Sequence, residues 1–253
     1  MSRNSKVATA FLAAFLALTA LSPAVAADVK SKLEAAMASD TRNEAERARD
    51  ANRLPVETLE FFGLKDNMRV LELLPGGGWY TRLLAPVLAD DGKLFVAIGT
   101  QRVEAMLADG SLSDVEVVAI EGEFVRPEGM RRFQLEGLKL PVKNIDLALT
   151  FRNLHNFTDD GRRGMNEAVF NALKKGGLYG VVDHTRRHMQ EDDNENWRRM
   201  DPVQMIKELE AVGFEFVDYS TLHYRADDEL RYEVGRKTVT GNTDRFTLLF
   251  RKP

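Results

Sequence analysis

Apolar residues fall in short unbroken blocks along this chain, at Arg69–Leu73, Leu94–Ile98, Val115–Ile120, Ile145–Phe151 and Leu178–Val182. Between most of them the apolar spacing is helical, at Tyr80–Ala89, Val103–Ala108 and Met165–Leu173. A strand buried on both faces reads as a continuous apolar run, and strands alternating with helices predict a mostly parallel sheet with helices on both sides. Asp201-Pro202 marks the start of a further helix, Gly213 its end after Val212, and two last strands follow at Phe214–Leu222 and Phe246–Arg251. That ending predicts a hairpin added to the parallel sheet. Ahead of the alternation, residues 28–62 read as helices, with Asp40 or Thr41 as a cap answered by Glu44, and a second helix from Pro55 to Gly63. The stretch from Glu121 to Asn144 is too long and mixed for a plain crossover and is expected to form a partial lid.

The start of the chain has a different pattern. Arg3 and Lys6 precede an uncharged apolar run from Val7 to Leu21, and Ser22-Pro23 breaks it before the small-x-small sequence Ala24-Val25-Ala26. The run has 15 residues, where a membrane-spanning helix needs about 20. This is the layout of a signal peptide over residues 1–26, with residues 27–253 as a single domain and no stable membrane insertion after cleavage. Residues 28–62 supply its helical start and 63–253 its core. The protein is expected to be exported, periplasmic or secreted. Intact mass of the periplasmic protein should therefore show Ala27 or Asp28 as the first residue, and an uncleaved chain in the membrane fraction would overturn the reading.

Composition narrows the chemistry. The 253 residues contain no cysteine, which excludes thiolate metal sites, a cysteine nucleophile and disulfides. The net charge of -4 and the scattered Arg131-Arg132, Arg186-Arg187 and Arg198-Arg199 pairs give no basic stripe for nucleic acid. No G-x-S-x-G elbow is present, so hydrolase chemistry of that type is not expected.

The most informative stretch is Val70-Leu71-Glu72-Leu73-Leu74-Pro75-Gly76-Gly77-Gly78-Trp79-Tyr80-Thr81. A buried strand enters three glycines and a helix begins. Glycine admits tight turns and close ligand approach, and a helix start offers free N–H groups to an anion. In an open α/β sheet, nucleotides bind at such a turn. The dinucleotide pattern G-x-G-x-x-G would use Gly76 and Gly78 but meets Thr81 at its third glycine, and GxxxxGK[ST] is absent. An acidic strand end, Glu72, followed by a glycine turn suits S-adenosylmethionine, whose cationic end the carboxylate would face. A tight crossover that simply needs small residues remains the alternative.

From here the chain resembles the class I S-adenosylmethionine-dependent methyltransferases, and among them the exported, predicted methyltransferases with an E-L-x-P-G-G-G-W-Y-T motif. The resemblance spans roughly residues 40 to 253 through ELLPGGGWYT (72–81), DLALTFRNLHNF (146–157), GGLYGVVDH (176–184) and AVGFEFV (211–217). It implies a doubly wound, Rossmann-like, seven-stranded sheet with an antiparallel last strand. It also implies methyl transfer to a small-molecule acceptor, with S-adenosylmethionine held by Glu72, Pro75, Gly76, Gly77, Gly78, Thr81, Thr100, Glu121 and Asn153. Two positions depart from the family. Leu74 replaces the usual first glycine, and Ala97-Ile98-Gly99-Thr100 lacks the acid that ends the second strand and bonds the ribose, the nearest acid being Glu104. Glu121 would face the adenine amino group.

His155, after the Ile145–Phe151 strand, is the candidate base for the acceptor, the alternative being a histidine bonded to loop backbone. Asp183-His184 would need further ligands to hold a metal, and neighbouring strand residues point to opposite faces, so no metal is expected. His188 and His223 are isolated, and Glu191-Asp192-Asp193 with Glu195 reads as a solvated loop. Trp79 is expected to pack. The competing functions are an exported, non-catalytic binding module on this fold and a dehydrogenase, the latter opposed by Thr81 and the missing acid. Neither the acceptor nor the oligomeric state is legible.

Overall fold

The computed structural model describes residues 28–253, and the signal-peptide expectation lies outside them. Four helices come first: α1 (Val29–Ala38), α2 (Glu44–Arg47), α3 (Asp50–Arg53) and α4 (Pro55–Phe61). The cap of α2 is Asn43 rather than Asp40 or Thr41. Its side chain accepts from the Glu46 amide at 2.9 Å and Glu46 reaches back to the Asn43 amide at 3.0 Å. Ser39 and Thr41 bond each other instead. Pro55 opens α4, as read.

The alternation then follows: β1 (Arg69–Leu73), α5 (Thr81–Leu88), β2 (Lys93–Ala97), α6 (Gln101–Ala108), β3 (Val115–Val117), β4 (Glu121–Val125), β5 (Gln134–Lys139), β6 (Ile145–Phe151), α7 (Asp159–Ala172), β7 (Leu173–His184), α8 (Pro202–Val212), β8 (Glu215–Ser220) and β9 (Arg245–Arg251). Seven strands make one sheet in the order β3-β2-β1-β6-β7-β9-β8. Neighbours pair in parallel except β9, which is antiparallel to both β7 and β8. The fold is the doubly wound, Rossmann-like α/β sheet expected.

Alternate strand residues feed two cores. Val70, Leu94, Leu147, Leu149 and Phe151 pack with α1, α4 and α5 on one face. Leu71, Leu73, Phe95, Ala148 and Val181 pack with α7 and α8 on the other. Phe62, just after α4, lies on the sheet where β7 has Gly180, and a Cβ there would come within 2.7 Å of the Phe62 ring. That close approach joins the N-terminal helices to the sheet.

Two readings need correction. Helix α7 starts six residues before Met165, at Asp159, with Thr158 accepting from the Gly161 amide. Its first turn buries Arg162, whose guanidinium forks onto Glu208 at 2.7 Å, so a charge sits where an apolar repeat would otherwise show the helix. The Glu121–Asn144 stretch is a β4–β5 hairpin packed along α7, not a lid over the crevice, because Phe133, Leu135 and Leu138 find their apolar partners there. Among the described residues no helix is long and apolar enough to cross a membrane.

Candidate functional site

The strand order reverses between β1 and β6, and ligands of open α/β sheets bind outside the carboxyl ends of strands at such a point. A cavity of about 180 Å³ lies there, between the glycine turn, the α2–α3 segment and the end of β6. Leu74 leaves β1 at φ 51°, the left-handed region, while its amide still bonds the Ala97 carbonyl at 2.9 Å. A leucine in that backbone region costs roughly 1 kcal/mol. Asn153 supports the turn by donating through Nδ2 to the Leu73 and Leu74 carbonyls, both at 3.3 Å.

The glycines have separate roles. A Cβ on Gly76 or Gly77 would meet nothing within 4 Å, so both face open space, while one on Gly78 would come 2.3 Å from the Met106 methyl of α6. The first two form the cavity wall and the third admits α6. Gly76 has a φ of 57°, whereas Gly77 lies outside the positive-φ region.

Glu72 is the buried carboxylate of the cavity. Thr81 donates to it at 2.6 Å, yet burial prevails over that bond and over nearby Arg53, and pushes Glu72 up to about 7. Tyr80 stacks on Phe151 with centroids 3.6 Å apart, and Trp79 donates from Nε1 to the Glu46 carbonyl at 2.9 Å. Trp79 is packed as expected, and both aromatics also line the cavity.

Of the residues assigned to the cofactor, Glu72, Pro75, Gly76, Gly77 and Asn153 meet at this cavity. Thr81 does not line it and serves Glu72. Thr100 does not line the cavity either: it stands at the N-cap position of α6, past the end of β2, and its hydroxyl donates to Glu104 at 2.5 Å and not to the helix backbone. Glu104, the nearest acid, lies one helical turn on, exposed and outside the cavity lining. Glu121 stands apart, exposed at the start of the hairpin and paired with Lys139 at 2.8 Å. The hairpin takes it away from this cavity.

His155 also lies outside the cavity lining. It is buried, its Nδ1 2.6 Å from Asp183 Oδ1 and its amide bonded to Oδ2 at 3.1 Å. His184 lies beside it and is held neutral, since burial pushes it well below the usual histidine range. Among the described residues no group of three or more His, Cys, Asp or Glu could hold a metal ion.

Sequence reasoning missed the cations. Arg49 at the N-cap of α3, Arg53 at its end and Arg152 after β6 all line the cavity. Their signal was an i,i+4 arginine pair in the N-terminal helices and an arginine directly after a central strand. Helix α3 is anchored from far along the chain. His223 Nε2 donates to the Arg53 carbonyl at 3.0 Å and Arg245 to the Asn52 carbonyl at 2.8 Å. Burial pushes His223 down to about 4, so it makes these contacts as a neutral imidazole, its Nδ1 accepting from Thr247.

This sheet order with its switch-point cavity is the methyltransferase-like Rossmann fold, as solved structures bear out. An S-adenosylmethionine-dependent methyltransferase from Aquifex aeolicus is similar at 15% identity, a TM-score of 0.57, and coverage of 88% of this chain and 98% of that one. The cyclase SpnF matches at 16% identity and a TM-score of 0.56, over 89% and 93% of the two chains. Human N-acetylserotonin methyltransferase, solved with S-adenosylmethionine, matches at 15% identity and a TM-score of 0.52, over 88% of this chain but 56% of its own. At such identities the likeness is one of fold. No protein-family model and no curated protein matches the chain.

Proposed function

We propose that the protein transfers a methyl group from S-adenosylmethionine to a small-molecule acceptor. The observation that carries this is the convergence of Glu72, Gly76, Gly77 and Asn153 on one cavity at the switch point, in a fold shared with methyltransferases. The residues fit that cofactor. Gly76 and Gly77 leave main chain open to close approach and buried Glu72 offers a carboxylate to a cation, while Thr100 and Glu104, bonded to each other past the end of β2, are the polar pair proposed to reach the ribose hydroxyls. When bound, S-adenosylmethionine supplies a methyl group on a cationic sulfonium. The protein's part is to position: Asn153 fixes the turn, Tyr80 and Phe151 wall the cavity, and alignment of donor with acceptor lowers the barrier.

Calorimetry with S-adenosylmethionine, its demethylated product and NAD tests the reading. The first two should bind and NAD should not. Gly77→Val should weaken binding at least a hundredfold while the melting temperature moves only a few degrees, because position 77 has room and needs no left-handed backbone. Glu104→Ala should weaken binding roughly tenfold by removing a charged hydrogen bond. Binding of NAD alone would make the protein a dehydrogenase-like binder, and binding unchanged in Gly77→Val would place the ligand elsewhere.

A further inference from the structure

Three guanidinium groups face the cavity without acceptors. Of these, Arg53 is buried, Arg152 half-buried and Arg49 exposed; among buried arginines elsewhere Arg42 pairs with Asp50, Arg162 with Glu208 and Arg199 with Asp228, while Arg245 is held by the Asn52 and Gly241 carbonyls. Among the described residues Arg49, Arg53 and Arg152 make no side-chain hydrogen bond or ion pair. Arg53 is 6% exposed, and its guanidinium lies 4.3 Å from the Trp79 ring centre and 5.5 Å from that of Tyr80. Arg152 is held at φ 63°, a strained setting for a non-glycine residue, with its amide on the Val182 carbonyl.

The carboxylates nearby do not balance these cations. Glu46 is already within 3.5 Å of Arg82. Glu72 is buried and pushed up to about 7, so near neutrality it is only partly charged. Burial and the neighbouring Arg152 push Arg53 down, and burial is the main cause that lowers Arg152. A buried cation without a partner is costly, and a fork of N–H donors matches a carboxylate or phosphate. S-adenosylmethionine carries one carboxylate alongside an ammonium and a sulfonium, so its negative charge answers at most one of the three guanidiniums.

We infer that Arg49, Arg53 and Arg152 form a subsite for an oxyanion-bearing small molecule, which on the methyl-transfer reading above is the acceptor. The cavity of about 180 Å³ is smaller than a whole-ligand pocket of roughly 300 Å³ or more, so it takes the anionic head of the acceptor beside the glycine turn while most of both molecules extends beyond it along the sheet edge. The walls of Trp79, Tyr80 and Phe151 leave apolar contact for the body of the molecule. The anion would stand beside the glycine turn, close to the donor it is to meet.

The test is calorimetric titration of the mature protein with inorganic phosphate and, separately, with succinate, each with and without S-adenosylmethionine. At least one anion should bind, and whichever binds more tightly identifies the acceptor's charged group. Arg53→Gln should weaken that anion at least tenfold and by a clearly larger factor than it weakens S-adenosylmethionine, whose Glu72 partner also feels Arg53. The two ligands should also bind together. Arg53→Gln should fold at least as well as wild type, because it removes an unpaired buried charge. Should it fail to fold, Arg152→Gln carries the same comparison. Anion binding equal in wild type and variant, or no anion binding, overturns the subsite. Competition between anion and S-adenosylmethionine, with both lost in Arg53→Gln, also overturns it and assigns the arginines to the cofactor carboxylate. If the anion binds through Arg53 and S-adenosylmethionine does not bind at all, the subsite stands and the methyl-transfer reading falls.

Discussion

Glu72→Gln is expected to raise the melting temperature at pH 8 by roughly 5–10 °C and to leave it nearly unchanged at pH 4. The reason is that burial raises this carboxyl from an ordinary 4.5 to about 7. Below pH 4.5 the group is protonated in both native and unfolded chains and contributes nothing to the pH dependence. As pH rises toward 7, the unfolded chain releases a proton that the native chain retains, so stability falls. Above 7 the loss is complete, at about 3 kcal/mol. Glutamine still accepts the Thr81 hydroxyl bond and carries no charge, which removes the loss. The same substitution should weaken S-adenosylmethionine, since the cation then meets a neutral amide. Thermal melts of both proteins from pH 4 to 8 check this, and parallel curves would show that Glu72 is solvated in the free protein.

The second large effect is expected at His155. His155→Ala should destabilise the protein by about 3 kcal/mol, because it removes one donor from a carboxylate that has no water to turn to. Asp183 is fully buried and takes its bonds from the His155 ring, the His155 amide and the His184 amide. Without the ring, its charge rests on main-chain donors alone. S-adenosylmethionine affinity should change less than threefold, since His155 does not line the cavity. In a double-mutant cycle with Asp183→Asn the two losses should be smaller together than their sum. A variant that melts like wild type but loses turnover would instead return His155 to the acceptor side as a base.

The legible part of this fold was the part set by local pattern. Strands β1 and β6 were visible residue by residue, because continuous apolar runs mark strands buried on both faces. The α8 boundaries were equally plain from Asp201-Pro202 and Gly213. What was hidden depended on distant partners. The start of α7 was masked by buried Arg162, which is acceptable there only because Glu208, 46 positions later, completes it. The site divides in the same way. Glu72 and the glycines lie in one stretch and announced themselves, whereas the Asp183–His155 pair spans 28 positions and the arginine cluster joins α3 to the end of β6. Glu121, expected at the adenine, opens β4 and pairs with Lys139, 18 positions on, a partner that local pattern does not show.

The anchoring of α3 by His223 and Arg245, across 170 and 193 positions, has a consequence for the order in which the molecule is made. The glycine turn and its strands can pair once β6 has been synthesised. The helix that carries Arg49 and Arg53 has its carbonyls tied down only when the final strand arrives. Contacts between such distant positions must close the largest loops in the chain, and large loops close late and slowly. The wall of the cavity formed by α3 is therefore expected to be secured only with the completion of the sheet by β9, during synthesis and again on refolding. A chain lacking its last strand would thus lose the fixing of α3 along with the β7–β9–β8 edge of the sheet.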